Sequence, residues 1–201
     1  MFNVLTGFKF IAEKIQEFEE DQSHTFLFGF EESYGFLVKP FVRDKDAIQA
    51  LVLLAEVAAF YKKQEKTLYD ALQDLFEEYG YYAERTIPVT MDGQQGAAKI
   101  AALMKTFREK GPTDFAGIHV IETEDFQAGT RTNKDGKIEK LTTPSSNVLK
   151  YLLEDKSWIA VRPSGTEPKI KFYMGVKGDT SSDAQSRLNK LEKAITEITA
   201  I

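Results

Sequence analysis

Residues 158–176, WIAVRPSGTEPKIKFYMGV, restrict the fold more than any other stretch of this chain. Two apolar runs, 158–161 and 170–176, flank the polar octet RPSGTEPK at 162–169. Two prolines and a glycine punctuate the octet, so it reads as a turn between two strands. The turn also gathers an arginine, two hydroxyls, a lysine and several backbone N–H groups. Successive N–H groups in a turn form a concavity for anions. A guanidinium adds a planar fork that matches phosphate oxygens. On these residues alone, an ordinary hairpin turn with solvated charges competes with phosphate binding.

The pattern around this hairpin extends from residue 81 to the end. Residues 81–91 read as a strand, 92–93 as a turn, and 95–110 as a helix with Ile100, Leu103, Met104 and Phe107 inward. Gly111-Pro112 closes that helix. Strands are expected at 115–124, 148–153, 158–161 and 170–176. Residues 125–146 are polar, with a turn at 133–136. A last helix, 180–201, repeats Ala184, Leu188, Leu191, Ile195 and Ile198 on one stripe. Antiparallel strands with helices on one face make an α+β unit.

The first 79 residues read differently. A helix over 7–20 carries Phe8, Ile11, Ile15 and Phe18, with Thr6 as its cap. The run TFLFGF at 25–30 suits a strand buried on both faces. A polar loop follows at 31–35, where open α/β sheets place ligands. The helix at 44–63 is apolar nearly all round, which predicts burial, and Asp44 or Asp46 can cap it. A third helix, 67–79, begins with Thr67 and Asp70 at capping-box spacing. One strand among three helices cannot satisfy its backbone groups. The expectation is sequence missing upstream or, less simply, pairing with another chain.

Composition removes several function classes. The 201 residues are 42% hydrophobic and 28% charged, as in a folded globular protein. A net charge of −5 argues against general nucleic-acid binding. Without cysteine, disulfides and thiolate metal sites are excluded, and His24 and His119 alone are a poor basis for a zinc site. No apolar run approaches the ~20 residues that span a bilayer. The start, MFNVLTGFKF, lacks a signal-peptide pattern, so a cytoplasmic protein is expected.

Three polar stretches can carry chemistry. In GFEESYGF, 29–36, two carboxylates and a serine can bind a polyol, or magnesium or calcium, or form only a solvated turn. Glu31 and Glu32 point opposite ways in extended chain, which weakens a paired-carboxylate reading. In RDKD, 43–46, alternating charges read first as helix capping and solvation. The third is the octet. No Ser-His-Asp arrangement, G-x-x-x-x-G-K-[ST] loop or G-x-G-x-x-G motif occurs.

Taken together, TGFKFI at 6–11, FGFEESYGF at 28–36, RDKDA at 43–47 and VRPSGTEPKIKFY at 161–173 resemble the C-terminal part of an α-D-phosphohexomutase. The likeness is to the bacterial phosphoglucomutase/phosphomannomutase type. That family has four domains around a cleft, carrying in order a phosphoserine loop, a DGDxDR-like magnesium loop, a GEES-type sugar loop and a phosphate loop. This sequence contains neither of the first two loops. The resemblance therefore implies the C-terminal part of domain three at 1–79, an α/β remnant of helices with one buried strand. It implies domain four at 80–201, an α+β fold with a four- to five-stranded, mainly antiparallel sheet and two helices, similar to a TATA-binding-protein fold.

The implied reaction interconverts glucose 1-phosphate and glucose 6-phosphate through a phosphoserine and a bisphosphate intermediate. By motif, Glu31 and Ser33 would bind sugar hydroxyls, and Arg162, Ser164, Gly165 and Thr166 the distal phosphate. Lys169 belongs to the same binding set, and Lys171 would add positive potential on its strand face. Lys45 is the candidate acid/base, where desolvation beside other cations would lower its pKa. Lys9 is a lesser candidate for the cleft. Magnesium would serve the full-length enzyme through ligands outside this chain, with no metal site here. The implied partners are a phosphorylated hexose and upstream domains of the same protein, with no nucleic acid or membrane. The chain alone would be inactive. Alternatives are a stand-alone phosphosugar-binding module, phosphomannomutase or phosphopentose activity of the full enzyme, or a structural domain whose 25–30 strand completes another chain's sheet.

Overall fold

Phe8, Ile11, Ile15 and Phe18 recur at helical spacing and fold the first segment into helix α1 (Phe8–Asp21). The structure is a computed structural model that describes residues 2, 4–31, 34–91, 95–165 and 167–199. It divides into two compact units, Met1–Leu75 and Phe76–Ile201. Gly7, not the expected Thr6, holds the position before α1, at φ 125° and with no side-chain cap. Its carbonyl instead accepts the Phe10 N–H at 3.0 Å. The helix ends at Gln22 in the left-handed conformation.

The apolar run at 25–30 is not a buried strand. Only β1 (Gly29–Phe30) is extended and paired, antiparallel to β2 (Phe36–Leu37). Leu27 is 81% exposed, and Phe28 and Phe30 are exposed too. Among the described residues of this unit no further strand lies beside the run, so its ladder forms only where the chain doubles back. Leu37 reaches inward and packs with Phe8 and Ile15 as the small core of this unit.

Helix α2 (Ala47–Lys62) starts at Asp46, whose carboxylate accepts the Ile48 and Gln49 N–H groups. The Asp46 N–H donates to the Phe36 carbonyl at 2.9 Å, which ties the helix start to β2. The burial expected for α2 does not occur. None of its residues is buried, and Ile48 is 72% exposed. Its apolar surface is real, but the unit provides no layer to cover it. Helix α3 (Leu68–Tyr79) has the expected capping box. The Asp70 N–H donates to Thr67 Oγ1 (3.1 Å) and the Thr67 N–H donates to Asp70 Oδ2 (2.8 Å).

The second unit is a one-sided antiparallel sheet. Its strands are β3 (Tyr81–Thr90), β4 (Asp114–Phe115), β5 (Ile118–Asp125), β6 (Thr130–Asn133), β7 (Ile138–Lys140), β8 (Leu149–Leu153), β9 (Trp158–Pro163) and β10 (Lys169–Gly178). The order is β3-β10-β9-β8-β5-β6-β7, with β4 paired to β5. The five strands read from the sequence form the contiguous body β3-β10-β9-β8-β5. Sequence reading missed the hairpin β6–β7, because its strands are short and polar. The turn expected there is present, with Asn133 Oδ1 accepting the Asp135 and Lys137 N–H groups. The turn expected at 92–93 lies outside the described residues. Pro88 is tolerated within β3 because β3 is an edge strand.

Along β10 the side chains alternate. Ile170, Phe172, Met174 and Val176 are buried against helices α4 (Gly96–Glu109) and α5 (Ser181–Thr199). Ile100, Met104 and Phe107 of α4 and Ala184, Leu188, Leu191 and Ile195 of α5 complete this core. The buried Tyr151 hydroxyl donates to the Phe107 carbonyl at 3.0 Å, and burial pushes its pKa up. On the opposite face Trp158 lies across Gly175. A Cβ there would stand 2.6 Å from the indole Cε2, so that position accepts only glycine without moving the ring. Among the described residues no helix is long and apolar enough to cross a membrane.

Candidate functional site

The octet is held by the strands it joins. Ile170 faces Pro163 and Lys171 faces Arg162 across β9 and β10. The Ser164 N–H donates to the Lys169 carbonyl at 2.8 Å, and the Glu167 N–H donates to Ser164 Oγ at 3.3 Å. The Met91 N–H donates to the Pro168 carbonyl at 2.9 Å, which anchors the turn to the end of β3. Gly165 is exposed at the turn's tip, and a Cβ there would meet nothing within 4 Å. Thr166 lies outside the described residues.

The three cations of this hairpin differ in state. Lys169 Nζ is 3.0 Å from Glu167 Oε2 and is thereby neutralised in part. Arg162 and Lys171 form no ion pair among the described residues. They are directly opposite on adjacent strands, a separation of roughly 5 Å between Cβ atoms at which like charges repel. Their charge is therefore available to an anion. The pairing is set by the register of β9 against β10, which residue identity alone does not give.

In the first unit, the Glu31 N–H donates to the Gly35 carbonyl at 2.8 Å and closes the 31–35 loop. Tyr34 sits in the left-handed region at φ 68° and is almost fully exposed. The Glu31 side chain is 11% exposed and the Lys45 side chain 42%. Lys45 Nζ lies 3.2 Å from Glu31 Oε2 and 2.9 Å from Asp44 Oδ1, and 5.2 Å from the Phe8 ring centre. Hydrogen bonding to Asp44 first, and to Glu31 second, raises the Lys45 pKa above the ordinary lysine value. This reverses the lowering expected from desolvation beside cations, because its neighbours here are carboxylates. Held in this way, Lys45 is a cation able to donate a hydrogen bond or proton. Sequence reading missed the part Asp44 plays. Lys9 lies over the Phe10 ring at 4.7 Å and makes no ion pair among the described residues. Ser33 and Glu32 lie outside the described residues.

Among the described residues no three His, Cys, Asp or Glu side chains gather as a metal ion would require.

The second unit is thus an α+β domain whose β9–β10 hairpin presents two cations that form no ion pair among the described residues. Residues 87–190 match the family model described as Phosphoglucomutase/phosphomannomutase, C-terminal domain. Residues 1–79 match Phosphoglucomutase/phosphomannomutase, alpha/beta/alpha domain III. The chain belongs to the phosphoglucomutase/phosphomannomutase family. It is similar to the phosphoglucomutase of Staphylococcus epidermidis, 42% identical over 187 residues that cover 92% of this chain and 34% of that protein. The phosphoglucomutase of Staphylococcus aureus is 40% identical over 190 residues, 94% of this chain and 34% of that protein. The chain spans about a third of the length of these curated relatives. The fold is shared with the open form of the exocytosis-sensitive phosphoprotein pp63/parafusin (phosphoglucomutase) from Paramecium. That likeness has a TM-score of 0.58 and 17% identity, and covers 94% of this chain and 32% of the other.

Proposed function

We propose that this chain is the sugar- and phosphate-recognising C-terminal part of a cytoplasmic phosphoglucomutase that interconverts glucose 1-phosphate and glucose 6-phosphate. The observation that carries this reading is the Arg162–Lys171 pair, two cations with no carboxylate partner among the described residues, beside a turn closed through Ser164. Arg162 grips the non-reacting phosphate through its planar fork, and Lys171 adds charge. Ser164, Gly165, Thr166 and Lys169 complete the cradle. Glu31 and Ser33 accept and donate hydrogen bonds to sugar hydroxyls, and Lys45 is the candidate acid. Residues 1–79 act as the remaining part of domain three and 80–201 as domain four.

Phosphoryl transfer passes through a phosphoserine and a bisphosphate in the full enzyme, whose magnesium is held by residues other than these. The matching serine and metal loops do not occur in these 201 residues, so the chain alone turns nothing over. What the chain supplies is positioning and charge stabilisation for a phosphosugar. The preference for glucose over mannose rests on the likeness to the staphylococcal phosphoglucomutases.

The test is a titration of 15N-labelled chain with glucose 6-phosphate, with mannose 6-phosphate and inorganic phosphate alongside. Saturable shifts at the Gly165 amide and the Arg162 Nε are expected. No shift at either group with any of the three ligands overturns the reading. A coupled assay on glucose 1-phosphate should show no turnover, and measurable turnover would contradict the assigned division of labour.

A further inference from the structure

Gly35 stands at the end of the 31–35 loop, and its φ lies outside the left-handed region. Its backbone conformation therefore does not demand glycine. The space around it does. A Cβ at 35 would lie 2.5 Å from Lys45 Cγ, closer still to Lys45 Cδ, and 3.1 Å from Glu31 Oε2. Lys45 thus crosses directly over the bare Cα of residue 35 on its way to the Glu31 carboxylate.

We propose that Gly35 is a positioning residue, whose missing side chain leaves the path by which Lys45 reaches and is held by Glu31. The inference rests on the reading that Glu31 and Lys45 belong to the phosphosugar site. It adds a cause for their geometry. The carboxylate assigned to sugar hydroxyls also sets the place of the candidate acid, and one methyl group at 35 would separate the two. Asp44 also holds Lys45, from the preceding residue of the chain, so Lys45 remains a cation after the separation but loses its fixed direction. Glu31 would be left mostly buried without its cation, which is costly for a carboxylate.

Among the described residues the charged groups facing Lys45 are Glu31 and Asp44. Side-chain NMR of the Lys45 Cε and Nζ, in the wild-type chain and in Gly35→Ala, reads the contact without any substrate. The Lys45 titration midpoint should fall in Gly35→Ala and likewise in Glu31→Gln. A folded Gly35→Ala chain with an unchanged Lys45 midpoint overturns the proposal.

A second measurement covers poor folding of that variant. In a Lys45→Ala background the contacts with Lys45 are gone and only the 3.1 Å approach to Glu31 Oε2 remains, so most of the stability lost through Gly35→Ala should disappear there. Equal loss in both backgrounds overturns the proposal. Glucose 6-phosphate binding separates this inference from the functional reading. If Gly35→Ala lowers the Lys45 midpoint but the wild-type chain binds no hexose phosphate, the functional reading fails and the positioning stands.

Discussion

Helices α2 and α5 show how differently the two units use apolar residues. Helix α2 is apolar nearly all round and buries none of its residues. Helix α5 is mostly polar, yet Ala184, Leu188, Leu191, Ala194 and Ile195 are buried. Hydrophobicity is thus a demand for a partner layer, and burial follows only where one exists. The second unit provides that layer as a sheet whose inner face is filled by β10 and its neighbours. In the first unit the core is Phe8, Ile15 and Leu37 with Phe26 half-buried against it, and Leu27 and Phe28 stay open. Apolar content alone does not distinguish the two.

The largest expected effect tests that contrast. Phe172 is 1% exposed on β10, an interior strand of the sheet. Phe172→Ala should cost about 3–5 kcal/mol, the range for removing a buried aromatic side chain. Phe30, 55% exposed in the first unit, should cost within about 0.5 kcal/mol when replaced by alanine. Urea unfolding followed by Trp158, the one tryptophan of the chain, measures the first. Circular dichroism measures the second. Similar costs for the two would break the comparison.

What the sequence disclosed follows the same division. The five strands of the sheet body and both of its helices were legible because period-2 and period-3.6 patterns each met the expected partner layer. In the first unit the patterns located the helices but misjudged burial, since periodicity reports which face is apolar and not what lies against it. The run at 25–30 has the pattern of a buried strand, yet only Gly29–Phe30 pairs, for that reason. At the candidate site, the motif residues were visible as letters. The Arg162–Lys171 pairing needs the register of the hairpin, and the Lys45–Gly35 approach needs the loop's path. Neither follows from residue identity.

A smaller effect concerns the hairpin of the well-packed unit, whose cations are fixed by the strand register. Arg162→Ala should weaken inorganic phosphate and glucose 6-phosphate binding about tenfold or more, since hydrogen bonds to charged groups contribute roughly 1.5–3 kcal/mol. Lys169→Ala should weaken it less, because Glu167 already occupies that ammonium. NMR titration reads both. A larger loss from Lys169→Ala would mean that the Glu167 pair opens on binding and that the hairpin is less preformed than its packing implies.

Caps sharpen the contrast further. Thr67 at the start of α3 and Thr180 before α5 each accept an N–H three residues on. Alanine at either should cost about 1 kcal/mol of helix stability. In the second unit this loss should lower the global melt of the sheet, because α5 packs on it. In the first it should appear as faster amide exchange in the first turn of α3, with the Trp158 transition unmoved. A shift of that transition by Thr67→Ala would show that the units unfold together.

The smallest effect is a pH dependence. Asp46 is held below the ordinary aspartate value by the Gln49 backbone N–H, and Asp70 by the Thr67 hydroxyl. Asp183, before the body of α5, is held down by the Asp179 N–H. A carboxylate with a depressed folded pKa contributes stability above its unfolded value, here near 3.8. That contribution is lost as pH falls through the lower folded value. All three caps should therefore weaken as pH drops below about 4. Their consequences should differ, because α5 retains its buried stripe while α2 retains no buried residue. Circular dichroism should show partial helix loss on acidification before Trp158 fluorescence changes. Coincident loss of both signals would mean that the packed sheet gives the second unit no margin over the first.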